Sequence, residues 1–277
     1  MAGKPKRRRQ QIHGLRVATR RAAAALDLFR DCLPKSTRKE ARGSLRMLRQ
    51  AVGVARDWDV LLQHLAKSIR SADPADLPTL DMLSGWALAH RTDAQSALER
   101  VVSESSPRAL AKLQARVRES VRWKGNPEPT LDAFSQPIVR QRLGDFTRLA
   151  NRDNDDWSNL HEVRIAGKRL RYTLEVLASG LDSTMTEQPT TALVRLQDVL
   201  GGINDSFLAS QLFAGLLSGM QATTPAASKR YQTVLKRLIA EHQQRMLDGR
   251  EAFTDWLREW HRPQIEQSLE ALCGKSG

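Results

Sequence analysis

Cysteine, long apolar runs and strand-like segments are scarce in this sequence, and each absence excludes a class of protein. The two cysteines among 277 residues, Cys32 and Cys273, cannot build a disulfide framework and lack the spacing of zinc ligands. No window approaches about 18 consecutive apolar residues, so we expect no membrane span. The charged start MAGKPKRRRQ is followed by no apolar stretch, unlike a secretory signal. These features predict a soluble, cytoplasmic protein.

The remaining composition is that of a folded chain. Apolar residues make up 40% of the sequence, enough to bury a core, which excludes a wholly disordered protein. The 16 glycines and 11 prolines are too few for a collagenous or low-complexity chain. The length suits one large domain or two of about 140 residues.

Positive charge is concentrated near the N-terminus. The whole chain has a net charge of +13, from 44 Lys and Arg against 31 Asp and Glu. Residues 4–49 hold fifteen of these cations and only three acids, Asp27, Asp31 and Glu40, so this stretch nets +12. Like charges at helical spacing repel, which indicates an anionic partner: nucleic acid, an acidic membrane or a phosphate polymer. The alternative interpretation is a solubilising basic surface.

The pattern of apolar residues predicts an all-α protein. Apolar side chains recur at spacings of three and four, strand-like alternation is absent, and Ala, Leu, Arg, Glu and Gln dominate. Long helices joined by short loops favour antiparallel bundles. Prolines, glycines and polar stretches divide the chain into predicted helices at 10–32, 37–70, 79–104, 108–122, 134–150, 157–180, 188–219, 227–247 and 250–272.

An internal repeat relates two parts of the chain at an offset of 148 residues. HGLRVATRR at 13–21 matches HEVRIAGKR at 161–169, and the same offset carries Gly53 to Gly201 and Asp57 to Asp205 without a gap. We infer two copies of a helical unit. The predicted organisation is a basic N-terminal arm over 1–9, a first helical repeat over 10–125, a linker and short helix over 126–155, and a second helical repeat over 156–273. The arm is either an anion-binding segment or a solvated tail.

Each copy opens with a basic stripe on a helix. His13, Arg16 and Arg20 share one helical face, and the second copy repeats the spacing. Two guanidinium stripes facing each other would repel in a dry core, whereas a wet groove that holds anions accommodates them. Arginine binds phosphate oxygens through two parallel hydrogen bonds, and a histidine beside phosphates should gain positive charge. The repeated stripes therefore favour a phosphate-rich ligand.

Other residues of the motifs have two interpretations. Asp57 and Asp205 are expected to be structural partners of the arginines rather than catalytic carboxylates. Gly53 and Gly201 interrupt helical surroundings, where glycine costs about 1 kcal/mol relative to alanine. Close helix packing or close approach of a ligand would each justify them.

The paired motifs resemble the CHAD family, an α-helical domain with conserved histidines. They are His-x-x-Arg-x-x-x-Arg-Arg from His13 with Gly-x-Ala-Arg-Asp from Gly53, and the corresponding segments from His161 and Gly201. The resemblance covers about residues 10–270. It implies two pseudo-symmetric four-helix bundles whose basic residues line a central groove and bind inorganic polyphosphate. Some proteins of this family locate to polyphosphate granules.

The resemblance and the helical spacing together imply a set of polyphosphate-binding residues. The motifs supply His13, Arg16, Arg20, Arg21, His161, Arg164, Lys168, Arg169 and Arg171, and helix periodicity adds Arg42, Arg46, Arg49, Arg56 and Arg195. Arg56 becomes Asn204 in the second copy, so we expect the first copy to dominate the electrostatics. We predict no cofactor, no metal site and no catalytic residue. The Glu-x-Glu-x-Lys motif of the triphosphatase module to which many family members are fused does not occur.

Three functional hypotheses follow. The leading one is non-catalytic binding of polyphosphate, and the resemblance implies attachment to polyphosphate granules. The second is an enzyme that processes phosphoanhydrides with Mg²⁺, for which only Asp57, Asp59 and Asp205 qualify as acidic ligands. The third is nucleic-acid binding, although no helix-turn-helix, RRM or zinc-finger pattern occurs, so nucleic acid is not expected as the specific partner. The oligomeric state is left open.

Overall fold

The structure, a computed structural model, describes residues 3–104, 107–123, 125, 127–152, 154, 156–178, 180 and 183–274. Side chains of residues 3–13, 183 and 184 lie outside this description. Within these ranges the protein is all-α and contains no strand, which confirms the predicted fold class. The helices are α1 (Gly3–Leu28), α2 (Lys35–Arg70), α3 (Leu77–Glu104), α4 (Pro107–Ser120), α5 (Leu131–Ala150), α6 (Trp157–Leu177), α7 (Ser183–Thr223), α8 (Pro225–Trp260) and α9 (Pro263–Cys273).

Local sequence signals account for where most helices begin. Prolines occupy the first position of α4, α8 and α9, where a missing backbone N–H costs nothing. The side chain of Thr130 accepts a hydrogen bond from the Ala133 backbone N–H at 3.2 Å and caps α5. Asp156 caps α6 in the same way, accepting from the Ser158 N–H at 3.3 Å.

The last two predicted helices differ from those in the structure. Helix α8 continues from Pro225 to Trp260 through Gly249, where the sequence predicted a break between 247 and 250. A Cβ atom at Gly249 would collide with the side chain of Ile203 on α7. Gly249 therefore allows close contact between α7 and α8 and does not end a helix. At the other end of the chain, α1 begins at Gly3, within the segment predicted as an arm.

Two main cores hold the helices together. The largest involves α5 to α9, and α5 contributes Val139 and Phe146 to it from within the stretch predicted as linker and short helix. A second core takes side chains from both repeats, including Leu65 of α2, Leu83 of α3 and Phe213 of α7. The repeats thus share buried apolar surface, which favours one rigid body over two independent units.

Helices related by the internal repeat also contact each other. The offset of 148 pairs α1 with α6 and α2 with α7, and α1 packs against α6 while α2 touches α7. The basic stripes of the two copies therefore lie on neighbouring helices. No helix among the described residues is both long enough and apolar enough to cross a membrane.

Candidate functional site: a cationic cleft

A cleft of about 550 Å³ opens where α1, α2, α5, α6 and α7 meet. Both repeats contribute to its walls, because α1 and α2 belong to the first copy and α6 and α7 to the second. Among the described residues, two carboxylates line it, Asp27 and Asp57. The described lysines and arginines that line it are Arg16, Arg20, Arg49, Arg142, Arg164, Lys168 and Arg169.

The contact between α1 and α6 positions the centre of the cleft. Arg20 on α1 donates a hydrogen bond from Nη1 to the hydroxyl of Tyr172 on α6 at 3.3 Å. Arg16 lies one helical turn before Arg20, and Arg164 and Lys168 are separated by one turn on α6, so the four cations face the same space. The repeated stripes thus converge from two helices.

Burial and neighbouring positive charges disfavour the charged forms of Arg16 and Arg164. Burial, followed by the charges of Arg20 and Arg56, lowers the pKa of Arg16. Burial is also the main cause that lowers the pKa of Arg164, and its Nε atom is buried without a hydrogen-bond partner among the described residues. A negative charge beside Arg16 and Arg164 would favour their charged forms. The cleft is therefore suited to an external anion.

Lys168 is the most strongly perturbed of the cleft cations. Burial, then the charges of Arg164 and Arg20, lowers its pKa to about 6. Its ammonium form is disfavoured because burial removes part of its hydration and the neighbouring groups carry the same sign. An anion bound beside Lys168 would oppose both effects and favour its ammonium form.

The two repeat-related aspartates lie close to the arginines. Burial, then the charge of Asp205, raises the pKa of Asp57, while Arg16 and Arg164 act in the opposite direction. Asp205 likewise favours the charged form of Arg164. Asp57, which lines the cleft, and Asp205, which lies beside it, thus offset part of the positive charge of the arginines.

Gly53 keeps the cleft open. It lines the cleft, and no described atom beyond its own helix and neighbours lies within 4 Å of where its Cβ would be. Gly201, its equivalent in the second repeat, has the same open surroundings but does not line the cleft. Close helix packing therefore explains neither glycine, and at Gly53 the space belongs to the cleft.

Several predicted site residues lie beside the cleft or outside it. Glu175 holds both Arg21, at 3.0 Å, and Arg171, at 2.6 Å, and the Arg171 guanidinium stacks on the Tyr172 ring. Arg195 forms an ion pair with Glu259 at 2.6 Å and lines a different groove, between α7, α8 and α9. These three cations already have partners within the protein.

The remaining arginines predicted on α2 are spread around its circumference. Arg42 pairs with Asp27 at the edge of the cleft. Arg46 is exposed and lines a shallow hollow on the outer face of α2. Arg56 does not line the cleft but lies near enough to Arg16 to lower its pKa. Of the predicted α2 cations, Arg49 is the one that lines the cleft.

Of the two motif histidines, the structure describes the side chain of His161. His161 stacks at an angle on Trp157, with ring centroids 5.4 Å apart, and does not line the cleft. Burial, then Arg164 and Lys168, lowers the pKa of His161 in the free protein. The side chain of His13 lies outside the described residues.

Sequence reasoning missed Arg142, which reaches the cleft from α5. This helix lies in the stretch predicted as linker and short helix and carries no copy of the repeated motif. Ile138, four residues earlier, lines the cleft as well, so the helical spacing places both on one face. Only the packing of α5 against α6 shows that this face meets the basic stripes.

The described residues contain no group of three or more His, Cys, Asp or Glu side chains that could hold a metal ion.

Comparison with known proteins identifies relatives of this fold. The family model of the CHAD domain matches residues 4–214. The crystal structure of the CHAD domain from the plant Ricinus communis is similar with a TM-score of 0.61 and 26% identity, over 94% of this chain and 81% of that one. PptA from Streptomyces chartreusis is similar with a TM-score of 0.68 over 91% of this chain and 92% of its own, and at 17% identity this likeness concerns the fold alone. No curated protein matches the sequence.

Proposed function

Because the chain belongs to the CHAD domain family, a family linked in general to polyphosphate binding, we propose that it binds inorganic polyphosphate in the cationic cleft. The observation that carries the proposal is the imbalance of charge there: among the described residues, six arginines and Lys168 line the cleft together with two carboxylates. Such an arrangement is costly in the free protein, and a polyanion would offset the cost.

The chemistry of the cleft suits a chain of phosphates. Each repeating unit carries a negative charge and oxygens that accept hydrogen bonds from guanidinium groups. A hydrogen bond to a charged group contributes about 1.5–3 kcal/mol. Because the units are joined, each contact raises the effective concentration of the next phosphate at its neighbouring arginine. One polyphosphate chain therefore contacts several cations of the cleft at once.

We propose that this binding is non-catalytic and takes place in the cytoplasm, where the protein associates with polyphosphate granules. In support of a binding role, Asp27 is occupied by Arg42, and Asp57 lies beside Arg16 and Arg164. Incubation of the protein with polyphosphate and Mg²⁺ should release no orthophosphate above a protein-free control. Release that is lost in Asp57→Ala would show an enzyme.

The finer architecture is part of the same proposal. Two pseudo-symmetric four-helix bundles would present their basic stripes to one cleft, and the constant offset of the repeat and the contact between α1 and α6 support this arrangement.

Salt dependence tests the proposed function directly. Binding of long-chain polyphosphate should weaken about 20-fold for one doubling of NaCl concentration near 0.1 M, because each neutralised phosphate releases a counterion. Six to seven contacts give a slope of about −4 to −5 for the logarithm of the association constant against the logarithm of the NaCl concentration. Isothermal titration calorimetry across a NaCl series measures this slope. A slope near zero would contradict an electrostatic cleft, and displacement by an equal phosphate concentration of single-stranded DNA would show generic charge binding.

Removing the negative charge of Asp27 should strengthen binding. In Asp27→Asn the edge of the cleft loses a carboxylate and Arg42 loses its internal partner, so the affinity for polyphosphate should rise about threefold to tenfold. The control is Asp31→Asn, since Asp31 is exposed and does not line the cleft. Equal gains in the two variants, measured by calorimetry, would mean that only net charge matters.

A further inference from the structure

The outer face of α2 carries a second cationic surface beside the cleft. It is a shallow hollow whose lining includes Lys39, Gly43, Ser44, Arg46, Met47 and Gln50. Lys39 and Arg46 are exposed, and neither forms an ion pair with another residue in the described part of the chain. No described atom beyond its own helix and neighbours lies within 4 Å of the position that a Cβ of Gly43 would occupy, so the hollow is open there.

This hollow is electrostatically continuous with the cleft. Arg49 lines the cleft, and its pKa is lowered by burial and then by Arg20, Arg42 and, to a smaller extent, Arg46. Arg46 lies about one helical turn before Arg49, so cations of the hollow and of the cleft are neighbours along α2. Lys39 precedes Arg49 by ten residues, which places it about 15 Å further along the helix axis.

The acids near this path are already engaged. Asp27 binds Arg42 at the edge of the cleft. Glu40, the carboxylate of the hollow, accepts a hydrogen bond at 2.6 Å from Arg116 on α4. Lys39 and Arg46 are thus left to an external anion, although like charges along one helix are unfavourable without one.

We propose that a polyphosphate chain too long for the cleft leaves it past Arg49 and continues over the outer face of α2 on Lys39 and Arg46. This inference rests on the proposed function and adds selectivity for chain length to it. A short chain occupies the cleft alone, whereas a long chain also contacts the hollow on α2. The hydroxyl of Ser44 and the amide of Gln50 add neutral hydrogen-bond donors along the same path.

The test compares two chain lengths in two charge-matched variants. Tripolyphosphate and long-chain inorganic polyphosphate are titrated by calorimetry into the wild type, Lys39→Ala/Arg46→Ala, and the control Lys229→Ala/Lys236→Ala. The control residues are exposed on α8 and line neither the cleft nor the hollow. The α2 variant should bind the long chain about tenfold more weakly, with tripolyphosphate affinity unchanged. The salt slope for the long chain should become less steep by about 1.4.

Each outcome decides the inference. Equal weakening for both chain lengths, no weakening for the long chain, or equal weakening in the control variant overturns the path over α2, while wild-type binding of tripolyphosphate leaves the proposed function intact. If the wild type binds neither probe, the proposed function fails and the inference fails with it. The variant Lys39→Arg/Arg46→Lys keeps both charges and should bind the long chain like the wild type, which separates loss of charge from loss of fold.

Discussion

Replacing Arg16 and Arg164 together by alanine should weaken polyphosphate binding at least about 100-fold. The two residues are equivalent in the repeats, line the cleft from α1 and α6, and are both substantially buried. Each substitution removes a hydrogen bond to a charged group, which contributes about 1.5–3 kcal/mol to binding. A change of about 1.4 kcal/mol in binding free energy is tenfold in affinity. The loss of both cations also leaves Asp57 and Asp205 less compensated. Calorimetry with long-chain polyphosphate measures the effect.

The matched control for this double variant is Arg118→Ala/Arg195→Ala. It removes the same net charge from an exposed position on α4 and from the ion pair with Glu259, both outside the cleft. We expect its affinity to stay within about threefold of the wild type at the same salt concentration, because charges beyond the binding site act through a screened field. Thermal unfolding of both double variants verifies that they are folded. A similar loss in the two would place binding outside the cleft.

A variant that changes shape without changing charge tests the same site independently. Gly53→Leu directs a side chain into the open space of the cleft and should reduce the affinity at least about tenfold. Replacing a helical glycine also favours the helix by about 1 kcal/mol, so the fold should tolerate it. Gly201→Leu is the control, since Gly201 has equally open surroundings but does not line the cleft. Equal effects of the two substitutions would contradict a cleft-bound polymer.

The second large effect concerns pH. Between pH 6 and pH 8 the affinity for long-chain polyphosphate should fall about 50-fold, because the protonated fraction of Lys168 in the free protein falls from about one half to about one hundredth. The direction follows from the lowered pKa, since bound phosphates favour the ammonium form and binding must then take up a proton. The anionic ligand restores the pKa of Lys168 toward its ordinary value, so this proton uptake grows above pH 6.

The comparison of Lys168→Arg with the wild type isolates this residue. Arginine at position 168 remains charged across the whole range, so the variant should lose most of the pH dependence and bind more tightly than the wild type at pH 8. Calorimetry in two buffers that differ in ionisation enthalpy measures the proton uptake directly. If the affinity of Lys168→Arg depends on pH as steeply as that of the wild type, a group other than Lys168 titrates, such as the terminal phosphates of the polymer.

The helical elements and the repeat followed from the sequence because their causes are local. Apolar spacing, capping residues and prolines act within a few positions, and they predicted most helices to within a few residues. The shared face of Arg16 and Arg20, and that of Arg164 and Lys168, also follows from the pitch of one helix. The break predicted after residue 247 was wrong because Gly249 makes room for the side chain of Ile203, which is distant in sequence.

What only the tertiary structure decided is which cations remain available to a ligand. Arg21 and Arg20 are adjacent, yet Arg21 is held by Glu175, 154 positions away, while Arg20 faces the cleft and donates to Tyr172. Arg142 enters the cleft because α5 packs against α6, and the pKa of Lys168 falls to about 6 because other chain segments bury it among arginines. Charge and helix face are properties of short segments, whereas ion pairing and desolvation depend on which distant segments meet.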